Sequence, residues 1–272
     1  MKSKKGIVIF DIEASCEDRN INPRYNMETI EIGAVKVYRD SIVDTFETFI
    51  HPEYVNDLTP FCIELTGITF DDLKDAPNFT EAILEFYKFI YGCEIYSCGD
   101  FDRKHLTREL EEKGYSYEHE LARNAINANH KDLKKYYNKI TGKKKKGMIG
   151  MANELKVELT GTHHRALSDA KNLTKIFLKL EEIRENELKK TLTDKAMDKL
   201  IYNLNKNHNN FEIEKDGEYY KINCKLTNQI YKLSFLEFVD LWNNSIIVDI
   251  ETRGLKYVSP QIVKMLKRYT IL

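Results

Sequence analysis

The short apolar run at residues 7–10 is β-branched and passes directly into Asp11, Ile12 and Glu13. Four apolar residues in succession predict a strand that is buried on both faces. Residues two apart on a strand point to the same side, so Asp11 and Glu13 present paired carboxylates. If this pair is buried, its repulsion calls for a cation such as Mg²⁺ or Mn²⁺, which prefer oxygen ligands. The alternative is an edge strand with both acids hydrated, and the pattern D-x-E alone favours that alternative.

Strand and helix signals continue along the chain through residue 188. The predicted strands are 7–10, 30–38, 42–50, 94–97 and 124–128, and the predicted helices are 79–91, 103–113, 131–140, 148–156 and 166–188. The first three strands follow at short spacing, which predicts an antiparallel meander. A long loop with Pro52 and Pro60 follows them. We therefore predict an α/β domain with a mixed five-stranded sheet flanked by helices.

A domain boundary is predicted where residues 181–200 become rich in Glu and Lys. Beyond it, Asp216-Gly217 between two strand-like runs is a strong hairpin signal. The further elements predicted there are strands at 211–215, 218–225 and 246–250, a helix from the capping box of Ser234 and Glu237 through Trp242, and a last helix opened by Pro260. The sequence thus predicts a main domain at residues 1–188 and a small α+β appendage at 192–272. The appendage is a candidate surface for a homodimer or a protein partner.

Composition restricts the class of protein further. The 272 residues have a formal net charge of −1 and are 42% hydrophobic, which allows a sizeable core and argues against nucleic-acid binding through overall charge. The five cysteines show no C-x-x-C spacing, so we interpret them as reduced thiols of a cytosolic protein. The N-terminal apolar run is too short for a signal peptide, and no stretch approaches the roughly 18 apolar residues of a membrane span. We expect a soluble, cytoplasmic protein with no membrane partner.

A second acidic motif lies in Gly161-Thr162-His163-His164-Arg165-Ala166-Leu167-Ser168-Asp169-Ala170. His164 precedes the predicted helix and Asp169 lies in its first turns. Both could face the end of the first strand, where Asp11 and Glu13 lie. Alone, the motif has a plain explanation as well: Asp169 favours the positive helix N-terminus and His164 is a surface loop residue.

Taken together, these motifs resemble the DEDDh 3′–5′ exonucleases. The segments that carry the resemblance are FDIEASCE at 10–17, EIGAVKV at 31–37, LTPFCIELTGI at 58–68, CGDFDRKHL at 98–106 and HRALSDAKN at 164–172. They occur in the family's order over most of residues 6–180, and within the family they are most similar to the Eri-type exoribonucleases. The resemblance implies an RNase H-like fold.

The resemblance also implies residue roles. Asp11, Glu13, Asp102 and Asp169 would hold two ions, Mg²⁺ or Mn²⁺, with Asp11 as the bridging ligand and His164 as the general base. At two of these positions, a neighbouring residue of the same type could fill the same role. Asp102 has the family's preceding aromatic residue and following apolar residue, whereas Asp100 fits a turn or an N-cap. Only His164, and not His163, has the five-residue step to Asp169. Asp249 and Glu251 repeat the D-x-E pattern without the other motifs, so we interpret them as a structural strand end.

Single-stranded nucleic acid is the predicted substrate. Residues 131–146 contain eight lysines, including Lys143 and Lys144, with Tyr136 and Tyr137 between them, which suits either a phosphate backbone or a solvated helix and loop. Phe61, Leu65 and Thr66 fall in a segment that lies beside the terminal nucleotides in related exonucleases. The resemblance favours RNA over DNA. A DNA-directed 3′–5′ exonuclease, a phosphodiesterase for short oligonucleotides and a non-cleaving nucleic-acid-binding module are the alternatives.

Overall fold

The computed structural model describes most of the chain in two compact units. The described residues are 6–191 except 19, 23–25, 39 and 145, together with 197–198, 201–202, 205–206, 211–217, 219–224, 229–234 and 238. The compact units are Met1–Leu180 and Glu181–Leu272. The division into domains at residues 1–188 and 192–272 stays a prediction.

The first unit is built on a mixed five-stranded sheet. Its strands are β1 (Ile7–Ala14), β2 (Thr29–Tyr38), β3 (Ser41–Phe49), β4 (Glu94–Ser97) and β5 (His130–Asp132). Their spatial order is β3-β2-β1-β4-β5, with β1, β2 and β3 antiparallel and β4 and β5 parallel to β1. The predicted meander and the predicted α/β fold class are confirmed.

Helices cover both faces of this sheet. They are α1 (Pro60–Thr66), α2 (Phe70–Leu73), α3 (Phe79–Ile90), α4 (Phe101–Lys113), α5 (Tyr117–Asn129), α6 (Leu133–Thr141), α7 (Met148–Leu155) and α8 (Ala166–Thr191). On one face, Val8, Phe10 and Ile12 of β1 join a core that includes α3, α4 and α5. On the other face, Tyr96 of β4 packs its ring against Phe177 of α8 at 5.0 Å.

Local capping explains where several helices begin. Asn78 accepts a hydrogen bond from the Glu81 amide, and the Glu81 carboxylate accepts one from the Asn78 amide, which fixes the start of α3. At the start of α1, the Thr59 hydroxyl accepts a hydrogen bond from the Cys62 amide, and Pro60 occupies the first turn. The predicted long loop therefore contains two short helices, α1 and α2.

The fifth strand was predicted at residues 124–128, and this prediction is wrong. Those residues lie inside α5, which Ser116 caps and which buries Ala122 and Ile126. These two residues are four positions apart, so they share one face of the helix. The fifth strand of the sheet is β5, only three residues long, and its pairing with β4 is a long-range contact that local sequence does not encode.

The second unit contains a three-stranded antiparallel sheet. Its strands are β6 (Phe211–Asp216), β7 (Tyr219–Cys224) and β8 (Gln229–Ser234), in that spatial order. The hairpin at Asp216-Gly217 is confirmed, and Gly217 adopts φ 62°, which the turn requires. Tyr220 and Phe238 stack at 4.3 Å. The predicted helix through Trp242, the strand at 246–250, the helix at Pro260 and the acids Asp249 and Glu251 lie outside the described residues.

No helix in the described part of the chain combines the length and the apolar content that crossing a bilayer demands.

Candidate active site

The paired carboxylates of β1 project from the sheet face opposite Phe10 and Ile12. Asp11 is partly buried, and Glu13 is 7% exposed. In the antiparallel pairing with β2, Asp11 lies opposite Gly33 and Glu13 opposite Glu31. The strand therefore continues past the end of the apolar run, and both acids are paired with β2, although the pairing of β1 with β4 ends at Ile9. Their burial argues against a solvated edge.

Gly33 brings helix α8 against these carboxylates. A Cβ atom at this position would lie 2.0 Å from the Leu167 amide nitrogen and 2.2 Å from the Ala166 carbonyl carbon. Real Cβ atoms do not approach backbone so closely, so only glycine allows the first turn of α8 to rest on β2 here. Asp169, in that first turn, is thereby carried toward Asp11 and Glu13.

Glu31 fixes the start of α8 from the same strand. Its carboxylate is fully buried and accepts hydrogen bonds from the Arg165 guanidinium, at 2.9 Å from Nη2, and from the Ala166 amide, also at 2.9 Å. A charged fork of this kind is strong, and an anion at a helix N-terminus is favoured by the helix dipole. Gly33 permits the close approach of the helix, and Glu31 holds it.

His164 and Asp169 form the entry turn of α8. The Asp169 carboxylate is 7% exposed and accepts a hydrogen bond from the His164 amide at 3.1 Å. His164 adopts φ 58°, a left-handed conformation that non-glycine residues rarely hold without support. Its ring is exposed, yet one ligand atom each from His164, Glu13 and Asp169 lie within 4.8 Å of one another. His163 also approaches Asp169, with Nδ1 3.4 Å from Oδ1, and is 44% exposed.

Asp102 reaches the site from the first turn of α4. It is 5% exposed, whereas Asp100 is 39% exposed. Asp100 occupies the N-cap position, but its side chain forms ion pairs with Arg103 and Lys104 and does not cap the helix. Burial thus distinguishes the two acids, and Asp102 is the one that faces the other carboxylates.

The electrostatics of the group follow from the closeness of its carboxylates. Burial raises the pKa of Asp11 well above its ordinary value, and the charges of Asp102 and Glu13 raise it further. Burial, with the charge of Asp169, raises the pKa of Glu13 to about 8. For Asp102, burial raises the pKa to about 6, although a hydrogen bond from Ser97 opposes the rise. Each carboxylate is costly to ionise in this setting unless a cation joins it.

The donor set fits a divalent cation. Asp169 Oδ1 is buried and lacks a hydrogen-bond partner within the described part of the chain. Buried acceptors are normally satisfied, so such an atom beside other carboxylates is a position for a metal ligand. The oxygen donors are those of Asp11, Glu13, Asp102 and Asp169, the chemistry that Mg²⁺ and Mn²⁺ prefer.

Comparison with known proteins agrees with this geometry. The family model RNase_T, described as an exonuclease, matches residues 8–177. That range contains every residue of the site. The chain belongs to the RNase_T exonuclease family. The PolC-type DNA polymerase III of Caldanaerobacter subterraneus subsp. tengcongensis is 34% identical over 186 residues, which are 67% of this chain and 12% of that protein. The PolC-type polymerase of Staphylococcus aureus is 31% identical over 196 residues, 69% of this chain and again 12% of the relative.

Solved structures share the fold of this chain. The nuclease domain of 3′hExo, a DEDDh family member crystallised with rAMP, superposes with a TM-score of 0.54 at 23% identity. The match covers 66% of this chain and 92% of that domain. The RNase H-like sheet that the resemblance implied is therefore the sheet of the solved exonucleases.

Helix α1 borders the exonuclease site just beyond Glu13. The Thr59 hydroxyl donates a hydrogen bond to the Cys16 carbonyl oxygen at 2.6 Å, and the Cys62 thiol lies 3.9 Å from the Ala14 carbonyl oxygen. Phe61 and Leu65, one helical turn apart, are 40% and 39% exposed. Thr66 differs from them, because it is buried and its hydroxyl donates to the Cys62 carbonyl within the helix.

The predicted lysine contacts lie between α6 and α7. Lys143 and Lys144 are exposed. Glu154 of α7 anchors this segment, with carboxylate oxygens 2.9 Å from Lys146 Nζ and 3.6 Å from Lys143 Nζ. The Met148 amide at the start of α7 hydrogen-bonds the Cys98 thiol, which the charges of Asp11 and Asp102 also affect. The segment therefore leads to the border of the carboxylate site.

Sequence reasoning missed residues that support the exonuclease site from behind. Glu31 and Gly33 were quoted only as part of a family segment, and Ser97 was not singled out. A buried network also went unnoticed: Lys113 Nζ lies 2.6 Å from Glu28 and 3.1 Å from Glu109, and Glu28 accepts the amides of residues 53–55. The only sequence signal for these buried acids was their position among apolar residues of a strand or helix. Local patterns alone would assign such an acid to a solvent-exposed face.

Proposed function

We propose that this chain is a metal-dependent 3′–5′ exonuclease of the DEDDh type that shortens single-stranded nucleic acid and releases nucleoside monophosphates. The observation that carries the proposal is the convergence of Asp11, Glu13, Asp102 and Asp169, from three separate segments, with His164 beside them. Such clustering has no structural benefit by itself, because the four charges repel. It favours a site whose purpose is to hold cations against a phosphate.

The four carboxylates would hold two ions, Mg²⁺ or Mn²⁺. When bound, the ions lower the pKa of an attacking water and stabilise the attacking and leaving oxygens of an in-line displacement. Asp11 is the best candidate for a shared ligand, since the charges of Asp102, Glu13 and Asp169 all act on it. Glu31 would orient this set through its hydrogen bond to the start of α8.

His164 would accept the proton of the attacking water at a ring nitrogen. Its ring is exposed and can reach solvent, while its own amide is bound to Asp169. The left-handed turn at His164 places the ring near Glu13 without removing Asp169 from the cluster. Histidine is suited to this role because its ordinary pKa is near neutrality.

The borders of the site suit a single strand. The exposed Phe61 and Leu65 on α1 offer an apolar surface for a terminal base, and the exposed Lys143 and Lys144 offer charge for the backbone. Thr66 would act by holding the backbone of α1 and not by touching nucleic acid.

The sugar is a separate question with two candidates. The relatives that are 30–34% identical are DNA polymerases, and this similarity favours DNA. The sequence resemblance favoured RNA, and the 3′hExo domain was solved with rAMP. The 23% identity of that domain to this chain, however, supports only a shared fold. We therefore place DNA first as the substrate and RNA second.

The test is a cleavage assay on matched oligonucleotides. Purified protein receives 5′-labelled single-stranded DNA and RNA of one sequence, each with Mg²⁺, Mn²⁺ or EDTA. We expect a ladder that shortens from the 3′ end with either metal and stays intact in EDTA, with the faster ladder on DNA. The variant Asp11→Asn should bind the oligonucleotide without shortening it.

Three outcomes would contradict the proposal in different ways. A faster ladder on RNA reverses the assignment of the sugar and leaves the reaction intact. Binding without shortening under every metal identifies a non-cleaving binding module. Full activity of a clean Asp11→Asn preparation would exclude the site itself.

A further inference from the structure

Lys134 lies beside the carboxylate site without belonging to the family motifs. It is the second residue of α6, and its side chain is half-buried over the turn that joins β4 to α4. Its Nζ lies 3.3 Å from the position that a Cβ of Gly99 would occupy, and its Cε and Cδ lie 3.6 and 3.7 Å from it. Gly99 adopts φ 108°, so the turn presents bare backbone to the lysine. Asp102 follows three residues later.

The charge of Lys134 acts on the site. Burial raises the pKa of Asp102 and of the Cys98 thiol, and the positive charge of Lys134 opposes both rises, so the ammonium group is within Coulombic reach of both. Its neighbours behave differently. Lys131 pairs with Glu94 at 2.9 Å, and Lys135 pairs with Asp132 at 3.8 Å. Across the described residues, Lys134 forms no ion pair with any carboxylate.

An unpaired, half-buried ammonium at the rim of an acidic pocket is suited to an arriving anion. Substrate brings one, because a phosphodiester carries a negative charge on its two non-bridging oxygens. Once cations occupy the carboxylates, the net charge around the site is no longer negative, and a lysine there attracts phosphate as a compact point charge. The length of the side chain allows the ammonium to follow the phosphate without moving α6.

We propose that Lys134 binds a non-bridging oxygen of the scissile phosphodiester and so acts as a catalytic residue of the exonuclease. The proposal rests on the function proposed above. It assigns Lys134 to the reacting phosphate and not to the neighbouring phosphates of the strand, because the lysine lies over the turn that leads into Asp102. A purely structural lysine, which only relieves repulsion at Asp102, is the alternative.

The experiment compares three variants on two substrates. Lys134→Gln removes the charge, Lys134→Arg keeps it, and Lys135→Gln removes the charge one residue further on, where it is 61% exposed. The substrates are a 5′-labelled oligonucleotide and the p-nitrophenyl ester of thymidine 5′-monophosphate, which has a single phosphodiester. We expect Lys134→Gln to lose about 10- to 100-fold in kcat/KM on both substrates, the value of a hydrogen bond to a charged group. Lys134→Arg should stay within about fivefold of the parent and Lys135→Gln within about twofold.

A binding readout separates this role from a structural one. With Ca²⁺ in place of Mg²⁺, oligonucleotide affinity is measured by fluorescence anisotropy over a series of salt concentrations. Lys134→Gln should reduce the slope of log affinity against log salt by about 0.7, the value for one phosphate of a single strand. Thermal stability and the Mn²⁺ concentration for half-maximal activity should stay at the parent values.

Each remaining outcome would overturn the inference. Parent-like rates of Lys134→Gln on both substrates exclude the contact. A loss confined to the oligonucleotide moves the contact to a neighbouring phosphate. A loss that excess Mn²⁺ restores identifies a structural role through Asp102. If the parent protein is inactive on both substrates with every metal, the result contradicts the proposed function itself, and the inference about Lys134 fails with it.

Discussion

At the scale of single residues, burial decides which of two equal side chains takes part in the site. Asp100 and Asp102 differ by two positions, yet Asp100 pairs with the half-buried Arg103 and the exposed Lys104, while Asp102 is buried among carboxylates. Sequence distinguished them only through the residues that flank each one, Phe101 and Leu106, and the structure explains why that signal works. Phe101 lies exposed over His105, while the fully buried Leu106 holds α4 against the core.

A charge-removing pair of variants tests this difference. Asp102→Asn should lower kcat by at least about 100-fold, because even groups one layer behind a metal ligand cost up to that much. Asp100→Asn removes partly exposed ion pairs with Arg103 and Lys104 and a 3.7 Å contact with His130, none of which reaches the carboxylate group, so its rate should stay within about fivefold of the parent. Steady-state rates on the labelled oligonucleotide give both values. Equal losses in the two variants would contradict the assignment.

The two adjacent histidines allow a similar comparison. His164→Ala should lower kcat about 10²- to 10⁴-fold through loss of the general base, and the acidic limb of the pH–rate profile should flatten. His163→Ala loses only a partly exposed contact with Asp169, so its loss should be less than about tenfold. The profiles are measured at saturating Mn²⁺. If His163→Ala flattened the profile and His164→Ala did not, the roles would be reversed.

At the scale of elements, the close contact between β2 and α8 determines the site more than either element alone. The helix α8 and the strand β2 were both predicted, because apolar periodicity is a local property. Their mutual position was not, because it depends on Gly33 and on Glu31, which contacts a residue 134 positions away. The error in the predicted fifth strand has the same origin. Strand β5 is defined by its pairing with β4, which is a long-range contact, whereas the capping residue Ser116 marks the start of α5 in the local sequence.

Gly33→Ala should therefore impair both stability and activity. The added methyl group meets the backbone of Leu167 and Ala166, and backbone cannot yield as a side chain does. We expect a loss of about 2–3 kcal/mol in the free energy of unfolding, or a fall in Tm of roughly 5–10 °C, together with reduced activity because Asp169 moves with α8. Gly147→Ala is the control, since a Cβ there has open space and no positive φ. A parent-like Tm and rate for Gly33→Ala would show that the contact is looser than described.

At the scale of the whole molecule, the repulsion among the clustered acids lowers the stability of the metal-free fold that brings them together. The chain is almost neutral, with a net charge of −1, yet its site gathers carboxylates whose pKa values are raised. Composition argues against a generally basic nucleic-acid binder, but it could not reveal this local concentration of negative charge. In the second unit, the sequence Asp216-Gly217 was enough to predict the hairpin. The role of this unit as a partner surface stays a prediction, because no local sequence signal specifies a partner.

Metal-free protein should become less stable as the pH rises. The pKa of Glu13 is about 8 in the folded chain against an ordinary value of 4.5, so the folded state binds more protons between these values, and ionising the residue there disfavours folding. Asp11 and Asp102 shift in the same direction. In EDTA, Tm should fall from pH 5.5 to pH 8, and Mg²⁺ or Mn²⁺ should raise Tm most at pH 8. Glu13→Gln should flatten the trend in EDTA; an unchanged slope would exclude Glu13 as its source.

The repulsion within the carboxylate group also affects how such a chain can change over generations. Replacing one acid by its amide removes a charge that the metal-free fold holds at a cost, so substitutions that end cleavage are among those the fold tolerates best. Glu31 and Gly33 behave in the opposite way, since their loss displaces a helix. On the proposed function, a single acid-to-amide substitution could therefore end nuclease activity in a descendant protein while its fold is retained. Loss of Glu31 or Gly33 would instead disturb the fold and the activity together.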